Sequence, residues 1–136
     1  MLTVIICTYN RDKYIYNVLK SVADNDYPRT DYEVVLVNNN STDNTESECQ
    51  RFQADYPNIT FRYFLEKQQG LSYARNRGIH EAKGEILVYV DDDAFVDAKY
   101  LTLSINCAYS LSTLQVDRIS SPIPGLILYA VQISSS

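Results

Sequence analysis

The chain has 136 residues, enough for one domain with a hydrophobic core and too few for two ordinary domains. Hydrophobic residues make up 46% of the chain and charged residues 21%, as in typical globular proteins. The net charge of −5 provides none of the basic surface that nucleic-acid-binding proteins use, so we expect no nucleic acid partner.

Strands and helices alternate along the first two thirds of the chain. Strands are predicted at residues 3–7, 32–37, 59–65 and 85–90, and helices at residues 14–22, 46–54 and 72–82. The first two strands are nearly continuous apolar runs, typical of strands covered on both faces, whereas the third alternates as an outer strand does. Thr45 and Glu48 have the spacing of a capping box, and Ser72 is the expected N-cap of the third helix. The alternation predicts an α/β fold with a parallel sheet.

Polar clusters follow three of the predicted strands, at residues 8–11, 38–43 and 91–93. In a parallel sheet the carboxyl ends of the strands share one edge, and ligands bind there. The sequence contains neither G-x-G-x-x-G nor G-x-x-x-x-G-K-[ST], so dinucleotide-binding and P-loop sites lack their phosphate cradle. We therefore predict one ligand-binding rim of another kind.

Three consecutive carboxylates, Asp91, Asp92 and Asp93, follow the fourth predicted strand, and their mutual repulsion is unfavourable without a cation. Side chains alternate along an extended backbone, so Asp91 and Asp93 are expected on one side and Asp92 on the other. A converging pair of oxygen ligands suits Mg²⁺ or Mn²⁺, which complete their coordination with water and phosphate oxygens. The pattern favours a metal–diphosphate site, with an acidic turn as the alternative.

Two arginines, Arg75 and Arg77, fall in the first turns of the third predicted helix. The helix dipole disfavours a positive charge there by a few tenths of a kcal/mol. A bound anion would reverse that effect, since a guanidinium can donate forked hydrogen bonds to phosphate or pyrimidine oxygens. The alternative is two solvated arginines on a surface helix.

Four motifs occur in order: T-Y-N-R at 8–11, V-N-N-N-S-T-D at 37–43, G-L-S-Y-A-R-N-R-G at 70–78 and Y-V-D-D-D at 89–93. Over residues 2–100 they resemble the large inverting family 2 glycosyltransferases. The resemblance implies a Rossmann-like GT-A fold, a three-layer sandwich with a mostly parallel central sheet. It also implies a UDP- or GDP-sugar donor, Mn²⁺ or Mg²⁺, and a saccharide or lipid-linked acceptor, as in cell-surface polysaccharide biosynthesis.

The same resemblance assigns roles to residues of these motifs. The donor-binding residues it implies are Thr8, Tyr9, Arg11, Asn38, Arg75, Asp91 and Asp92, and the metal ligands are Asp93 and Asp91. The first three would border the base and ribose, and Arg75 would contact the base or the diphosphate. Asp91 would lie toward the ribose, and Asp93 would bind the metal.

Asn38 departs from the family pattern, which commonly has aspartate at the position that accepts a hydrogen bond from the base. An amide oxygen accepts without charge and makes a weaker bond than a carboxylate, so this change bears on affinity or on base choice. Alternatively, Asn38 caps the loop through its side chain, as asparagine does readily.

Residues 101–136 contain only two charged residues, Asp117 and Arg118, and break sharply with the preceding composition. We expect residues 1–100 to form the nucleotide-sugar-binding portion and residues 101–136 to be a low-charge tail, not a separate domain. Members of the family continue well beyond this length and add the acceptor site and the catalytic base. We therefore expect a GT-A fold truncated after the strand that leads into Asp91 and Asp93, the D-x-D pair of the family. We assign no catalytic base and expect donor binding with little transfer.

An incomplete domain of this type would expose apolar surface where its missing part packs, so self-association is expected. A non-catalytic nucleotide-sugar-binding or interaction module is the alternative function, because the same rim can hold a ligand without bond making.

The cysteines Cys7, Cys49 and Cys107 are odd in number and lack C-x-x-C spacing, which predicts free, buried thiols in a reducing compartment. No basic segment precedes a long apolar one at the N-terminus, so no secretory signal is expected. The late apolar run, residues 122–133, is much shorter than the roughly 20 residues that span a bilayer. We expect a cytoplasmic location, or a peripheral position at the inner face of the membrane.

Overall fold

The computed structural model describes residues 1–99, 101–102, 116–119 and 128–133. The strands are β1 (Leu2–Thr8), β2 (Tyr32–Asn38), β3 (Phe61–Leu65), β4 (Ile86–Val90), β5 (Val116–Ile119) and β6 (Leu128–Ile133). The helices are α1 (Ile15–Ala23), α2 (Thr45–Asp55) and α3 (Leu71–Glu81), and a short 3-10 turn (Arg29–Asp31) precedes β2. The predicted strands and helices up to residue 90 are therefore all present, with ends shifted by up to two residues.

The strands form one sheet in the order β3-β2-β1-β4-β6-β5, so β1 is interior and β3 is an edge, as predicted. The pairs β1–β2, β1–β4, β2–β3 and β4–β6 are parallel, and β5 runs antiparallel to β6. The mostly parallel sheet is confirmed. The sheet does not end at β4, because β6 supplies hydrogen-bonding partners to an edge that would otherwise be open.

Both faces of the sheet are covered, which makes three layers. Alternate residues of β1 and β2, such as Val4 and Leu36, pack with α1 and α2 in the larger core. The intervening residues face the other way, where Ile5 and Val37 contact α3. This two-sided burial explains why β1 and β2 are apolar at nearly every position.

Two glycines allow close approach between layers. A Cβ on Gly78 of α3 would lie 2.7 Å from Ile5 Cγ2 of β1. A Cβ on Gly84 would lie 2.6 Å from both Met1 O and Thr3 Oγ1. Any side chain at either position would therefore separate α3 or the start of β4 from β1.

The predicted helix starts were wrong in two places. Helix α2 is preceded by Asn44 without a side-chain cap, and Thr45 is its first residue, so the capping box is not formed. Thr45 instead donates both its N–H and its hydroxyl to Asp43 Oδ1. Helix α3 starts at Leu71 after Gly70, so Ser72 lies inside the helix and does not cap it.

Among the residues that the structure describes, no helix has the length and apolar character required to cross a lipid bilayer. The expectation for Cys107 falls outside the described residues.

Candidate functional site

A cavity of about 420 Å³ opens at the carboxyl edge of the sheet, between the ends of β1 and β4 and the start of α3. Its lining residues are Ile5, Cys7, Thr8, Tyr9, Asn39, Gln69, Gly70, Leu71, Ala74, Arg75, Tyr89, Val90, Asp91 and Asp92. The floor is apolar and the entrance polar, an arrangement typical of small-molecule sites. Five of the predicted donor-binding residues line it: Thr8, Tyr9, Arg75, Asp91 and Asp92.

Asp92 ties the end of β4 to the end of β1. Its Oδ2 accepts a hydrogen bond from the backbone N–H of Tyr9 (3.4 Å), and its Oδ1 lies 3.5 Å from Arg11 Nε. Arg11 therefore lies at the rim, paired with a carboxylate that lines the cavity. Thr8 Oγ1 is buried and makes no hydrogen bond of normal geometry, although the hydroxyl is close enough to lower the pKa of Asp92.

The pKa of Asp92 is nevertheless raised above the ordinary value for aspartate. Burial is the largest cause, and it outweighs Arg11, the Tyr9 N–H and the Thr8 hydroxyl, which favour the charged form. The neighbouring Asp93 raises the pKa slightly further. The protein therefore holds a carboxylate here at an energetic cost, as binding sites for cations and polar ligands often do.

The three aspartates lie in a turn and not on an extended strand. Strand β4 ends at Val90, and the N–H of Ala94 bonds to the carbonyl of Asp91 (3.1 Å), which closes the turn. The expected alternation of side chains therefore stops at Asp91. Asp91 and Asp92 line the cavity, whereas Asp93 is exposed and outside the lining. The role of Asp93 as a metal ligand stays a prediction, but the alternation of side chains along an extended backbone no longer supports it.

Metal-binding clusters of three or more His, Cys, Asp or Glu side chains are absent from the described part of the chain. Mg²⁺ and Mn²⁺ do not require such a cluster, because they commonly bind through one or two protein carboxylates together with water and the phosphates of a substrate.

Arg75 and Arg77 point to different places. Arg75 lines the cavity, with its guanidinium carbon 5.5 Å from the centre of the Tyr89 ring. Arg77 lies over Phe64 of β3 and pairs with Glu81 (Nε to Oε1, 3.4 Å). The anion-binding interpretation stays a prediction for Arg75, whereas Arg77 packs between α3 and β3 and does not line the cavity.

Asn38 does not line the cavity. It is 3% exposed, its Oδ1 accepts from the N–H of Ser41 (3.0 Å), and its Nδ2 donates to Tyr63 Oη (2.8 Å). This geometry agrees with the alternative in which Asn38 caps the loop through its side chain. The next residue, Asn39, faces the cavity and was missed by sequence reasoning. The signal was available, because Asn39 has the same parity along β2 as Val35 and Val37, which face α3.

The loops after β1 and β2 are linked by side chains. Asn10 accepts from the N–H of Thr42 (2.8 Å) and donates its own N–H to Ser41 Oγ (2.9 Å). Asp43 Oδ2 accepts from the N–H of Asp12 (3.1 Å), and Asp12 in turn accepts from Asn44. These bonds span both loops and hold Tyr9 and Arg11 at the rim.

Two cysteine thiols, Cys49 in the larger core and Cys7 on the face that α3 covers, test how the structure buries side chains. Burial raises the pKa of Cys7 and of Cys49 to about 12, so the thiolate forms of both are nearly absent at pH 8. Because the thiolate is the reactive form, we expect iodoacetamide to label both at least about tenfold more slowly at pH 8 than after unfolding in urea. Peptide mass spectrometry measures each cysteine separately. Equal rates in folded and unfolded protein would contradict the structure around that cysteine.

The fold is shared with solved structures. Residues covering 80% of this chain match 32% of S. aureus TarS 1–349 in complex with UDP, with 29% identity and a TM-score of 0.72. A mannosyltransferase from Pyrobaculum calidifontis, PcManGT, solved with GDP-Man and Mn²⁺, matches with 36% identity and a TM-score of 0.71 over 76% of this chain and 30% of that one. The architecture is thus the GT-A fold of nucleotide-sugar glycosyltransferases.

The sequence agrees with this class. The family model described as Glycosyl transferase family 2 matches residues 3–108, and the chain belongs to that family. Glycosyltransferase AglE of Haloferax volcanii is 34% identical over 104 residues, which are 76% of this chain and 34% of AglE. The chain thus spans about a third of the length of that relative.

Proposed function

We propose that this chain forms the donor-binding part of a glycosyltransferase that takes a sugar from a nucleotide-diphospho-sugar. The observation that carries the proposal is the cavity at the carboxyl edge of the sheet, which Arg75 from α3 lines together with Asp91 and Asp92. A basic side chain and two carboxylates in one cavity suit a diphosphate that binds with a metal ion. The family relationship supports the same class of donor.

The residues present fit a divalent cation. Asp91 and Asp92 are the carboxylates that line the cavity, and Asp93 is the exposed residue that follows them; carboxylate oxygens suit hard cations such as Mn²⁺ or Mg²⁺. We propose that Asp91 and Asp93 hold the ion, with Asp93 moving from its exposed position when donor binds. A bound cation would stabilise the negative charge that develops on the departing nucleoside diphosphate.

The chain's own residues would orient the donor. Thr8, Tyr9 and Arg11 border the side of the cavity where a base and ribose would lie, and Tyr9 offers an exposed ring for stacking. Arg75 would donate hydrogen bonds to phosphate oxygens. Asn38 does not line the cavity, so we propose no direct contact between Asn38 and the donor; the asparagine that lines the cavity is Asn39.

Transfer to an acceptor hydroxyl with inversion would need a base that we do not assign in this chain. We propose that residues 1–100 are the donor-binding portion and that residues 101–136 are a low-charge tail and not a separate domain. The parallel pairing of β6 with β4 supports this division. The acceptor would be a saccharide or a lipid-linked saccharide, which would place the protein in the cytoplasm or at the inner face of a membrane.

Calorimetric titration tests the proposal. UDP and GDP are titrated into the purified chain with Mn²⁺ and then with EDTA, and we expect one of them to bind at micromolar to millimolar concentration only with the metal. Asp93→Ala should weaken this binding at least about tenfold, because it removes one of the two carboxylates proposed to hold the ion. Asp97→Ala, an exposed aspartate further along the same segment, is the control.

The outcomes separate the two candidate functions. Metal-dependent binding that is lost in Asp93→Ala and kept in Asp97→Ala supports the glycosyltransferase donor site. Binding that is indifferent to both EDTA and Asp93→Ala favours a non-catalytic nucleotide-binding module. Absence of binding by a chain that is folded by circular dichroism would reject both.

A further inference from the structure

Asn39 directs its side-chain hydrogen bonds to a single loop. The loop follows β3, comprises residues 66–70, and is called the wall loop below because Gln69 and Gly70 form part of the cavity wall. Asn39 Nδ2 donates to the carbonyls of Glu66 (3.2 Å) and Gln68 (2.8 Å), and Asn39 Oδ1 accepts from the N–H of Gly70 (2.9 Å).

The chemistry of these partners requires an amide. Two of the partners are carbonyl oxygens and can only accept, whereas the third is an N–H and can only donate. A primary amide supplies two donors and an acceptor within one side chain. A carboxylate of the same shape would meet two carbonyl oxygens without a proton between them, and a leucine of similar volume would meet none of the three partners.

The wall loop contributes little burial of its own. Residues 67–70 are exposed, whereas Asn39 is 6% exposed and lies at the end of β2, one of the most buried strands. Exposed segments with few apolar contacts open easily, so their position depends on specific hydrogen bonds. The position of Gly70, whose φ is +141°, also decides where α3 begins and hence where Arg75 lies.

We propose that Asn39 is a positioning residue that fixes the wall loop and the first turn of α3, and through them the shape of the donor cavity. The loop part of this inference stands on the contacts alone. Its consequence for ligand affinity rests on the proposed function, since it concerns the same cavity.

Hydrogen exchange followed by mass spectrometry tests the loop part without any ligand. In Asn39→Asp, the amides of residues 68–71 should exchange at least about tenfold faster than in the parent chain, since each lost hydrogen bond is worth about 1 kcal/mol. Peptides from β1 and β2 should keep their protection. The matched control is Asn40→Asp, which makes the same change at the next residue, an exposed position with φ of +63° that aspartate also tolerates.

A pH series separates the hydrogen-bonding role from a general loss of stability. Lowering the pH protonates the carboxylate introduced by Asn39→Asp and restores one donor, so the excess exchange of residues 68–71 should shrink toward the parent value. The other charged groups that line the cavity or belong to the wall loop are Arg75 from α3, Asp91 and Asp92 after β4, and Glu66 and Lys67. Their titration is common to the parent and to Asn40→Asp, which should show no such recovery.

A second variant covers failure of the first to fold. Asn39→Leu removes all three bonds, including the one from the Gly70 N–H that aspartate can keep, and adds no charge, so it should loosen residues 68–71 at every pH. The inference is overturned if a folded Asn39→Asp or Asn39→Leu protein keeps parental exchange in the wall loop. UDP titration with Mn²⁺ is the second readout, in which both variants should bind at least about tenfold more weakly than Asn40→Asp. If the parent binds no nucleotide, the proposed function fails, while the exchange result still decides the loop inference.

Discussion

Glu33→Ala is expected to lower the free energy of unfolding by about 3 kcal/mol, the lower end of the range for removing one partner of a buried ion pair. Glu33 is 1% exposed, and its carboxylate accepts from Thr3 Oγ1 (2.8 Å), the N–H of Lys83 (2.7 Å) and Arg62 (3.0 Å). Thr3 Oγ1 accepts in turn from the N–H of Gly84 (2.8 Å). One carboxylate thus connects β1, β2, β3 and the segment that leads into β4.

The size of the effect follows from the hydrogen-bond donors that lose their acceptor. Alanine would leave the buried Thr3 hydroxyl and the part-buried N–H of Lys83 without their acceptor, and an unsatisfied buried donor typically costs about 1–3 kcal/mol. Arg62 retains the carbonyl of Glu81 and that residue's carboxylate, which moderates the loss. Urea unfolding followed by circular dichroism measures the change.

The control is Glu85→Ala, an exposed glutamate two residues after Lys83, where the loss should be under about 0.5 kcal/mol. Equal losses in the two variants would show that the Glu33 network contributes nothing specific. A loss confined to Glu33→Ala would make this cluster, far from the cavity, a main determinant of sheet stability.

Much of the fold follows from the periodicity of apolar residues. The runs at residues 3–7 and 32–37 are apolar on both faces because α1 and α2 cover one face of the sheet and α3 the other. The helix starts were less predictable, since they depend on contacts distant in sequence. Gly70 and not Ser72 precedes α3, because the N–H of Gly70 is held by Asn39 from the end of β2.

The candidate site, too, could be predicted only in part from the sequence. Its place at the carboxyl edge, and the presence there of Thr8, Tyr9 and Asp91, followed from sequence order alone. The expected pairing of Asp91 with Asp93 assumed an extended backbone, and the turn closed by Ala94 removes that condition.

Side-chain periodicity along strands and helices would have identified two further features, the cavity-facing Asn39 and the different directions of Arg75 and Arg77. Ile5 and Cys7 of β1 and Tyr89 of β4 alternate onto the face that α3 covers, and Asn39 continues the same alternation on β2. Arg75 and Arg77 are two residues apart on a helix and therefore point away from each other. The sequence contained both signals, but deciding which face held the cavity required the packing of α3.

Removal of Arg75 is expected to have the largest effect on ligand binding. Among the described residues that line the cavity, Arg75 is the one basic side chain, and Asp91 and Asp92 line the same cavity. A nucleoside diphosphate brings negative charge into this cavity, so without Arg75 its phosphates would face the carboxylates with the metal alone. We expect Arg75→Ala to raise the Kd for UDP or GDP with Mn²⁺ roughly 10- to 100-fold, as for loss of a charge-assisted hydrogen bond.

Arg77→Ala is the matched control, because it makes the same change on the same helix at a side chain that contacts Phe64 and Glu81 away from the cavity. It should leave the Kd within about twofold of the parent and lower the free energy of unfolding by up to about 1 kcal/mol, since a partly exposed ion pair contributes little. Calorimetry with Mn²⁺ measures both variants. If Arg77→Ala weakens binding as much as Arg75→Ala, the effect comes from the helix as a whole. A Kd that Arg75→Ala leaves unchanged would mean that the phosphates bind elsewhere on the rim, and the assignment of this cavity to the donor would have to be abandoned.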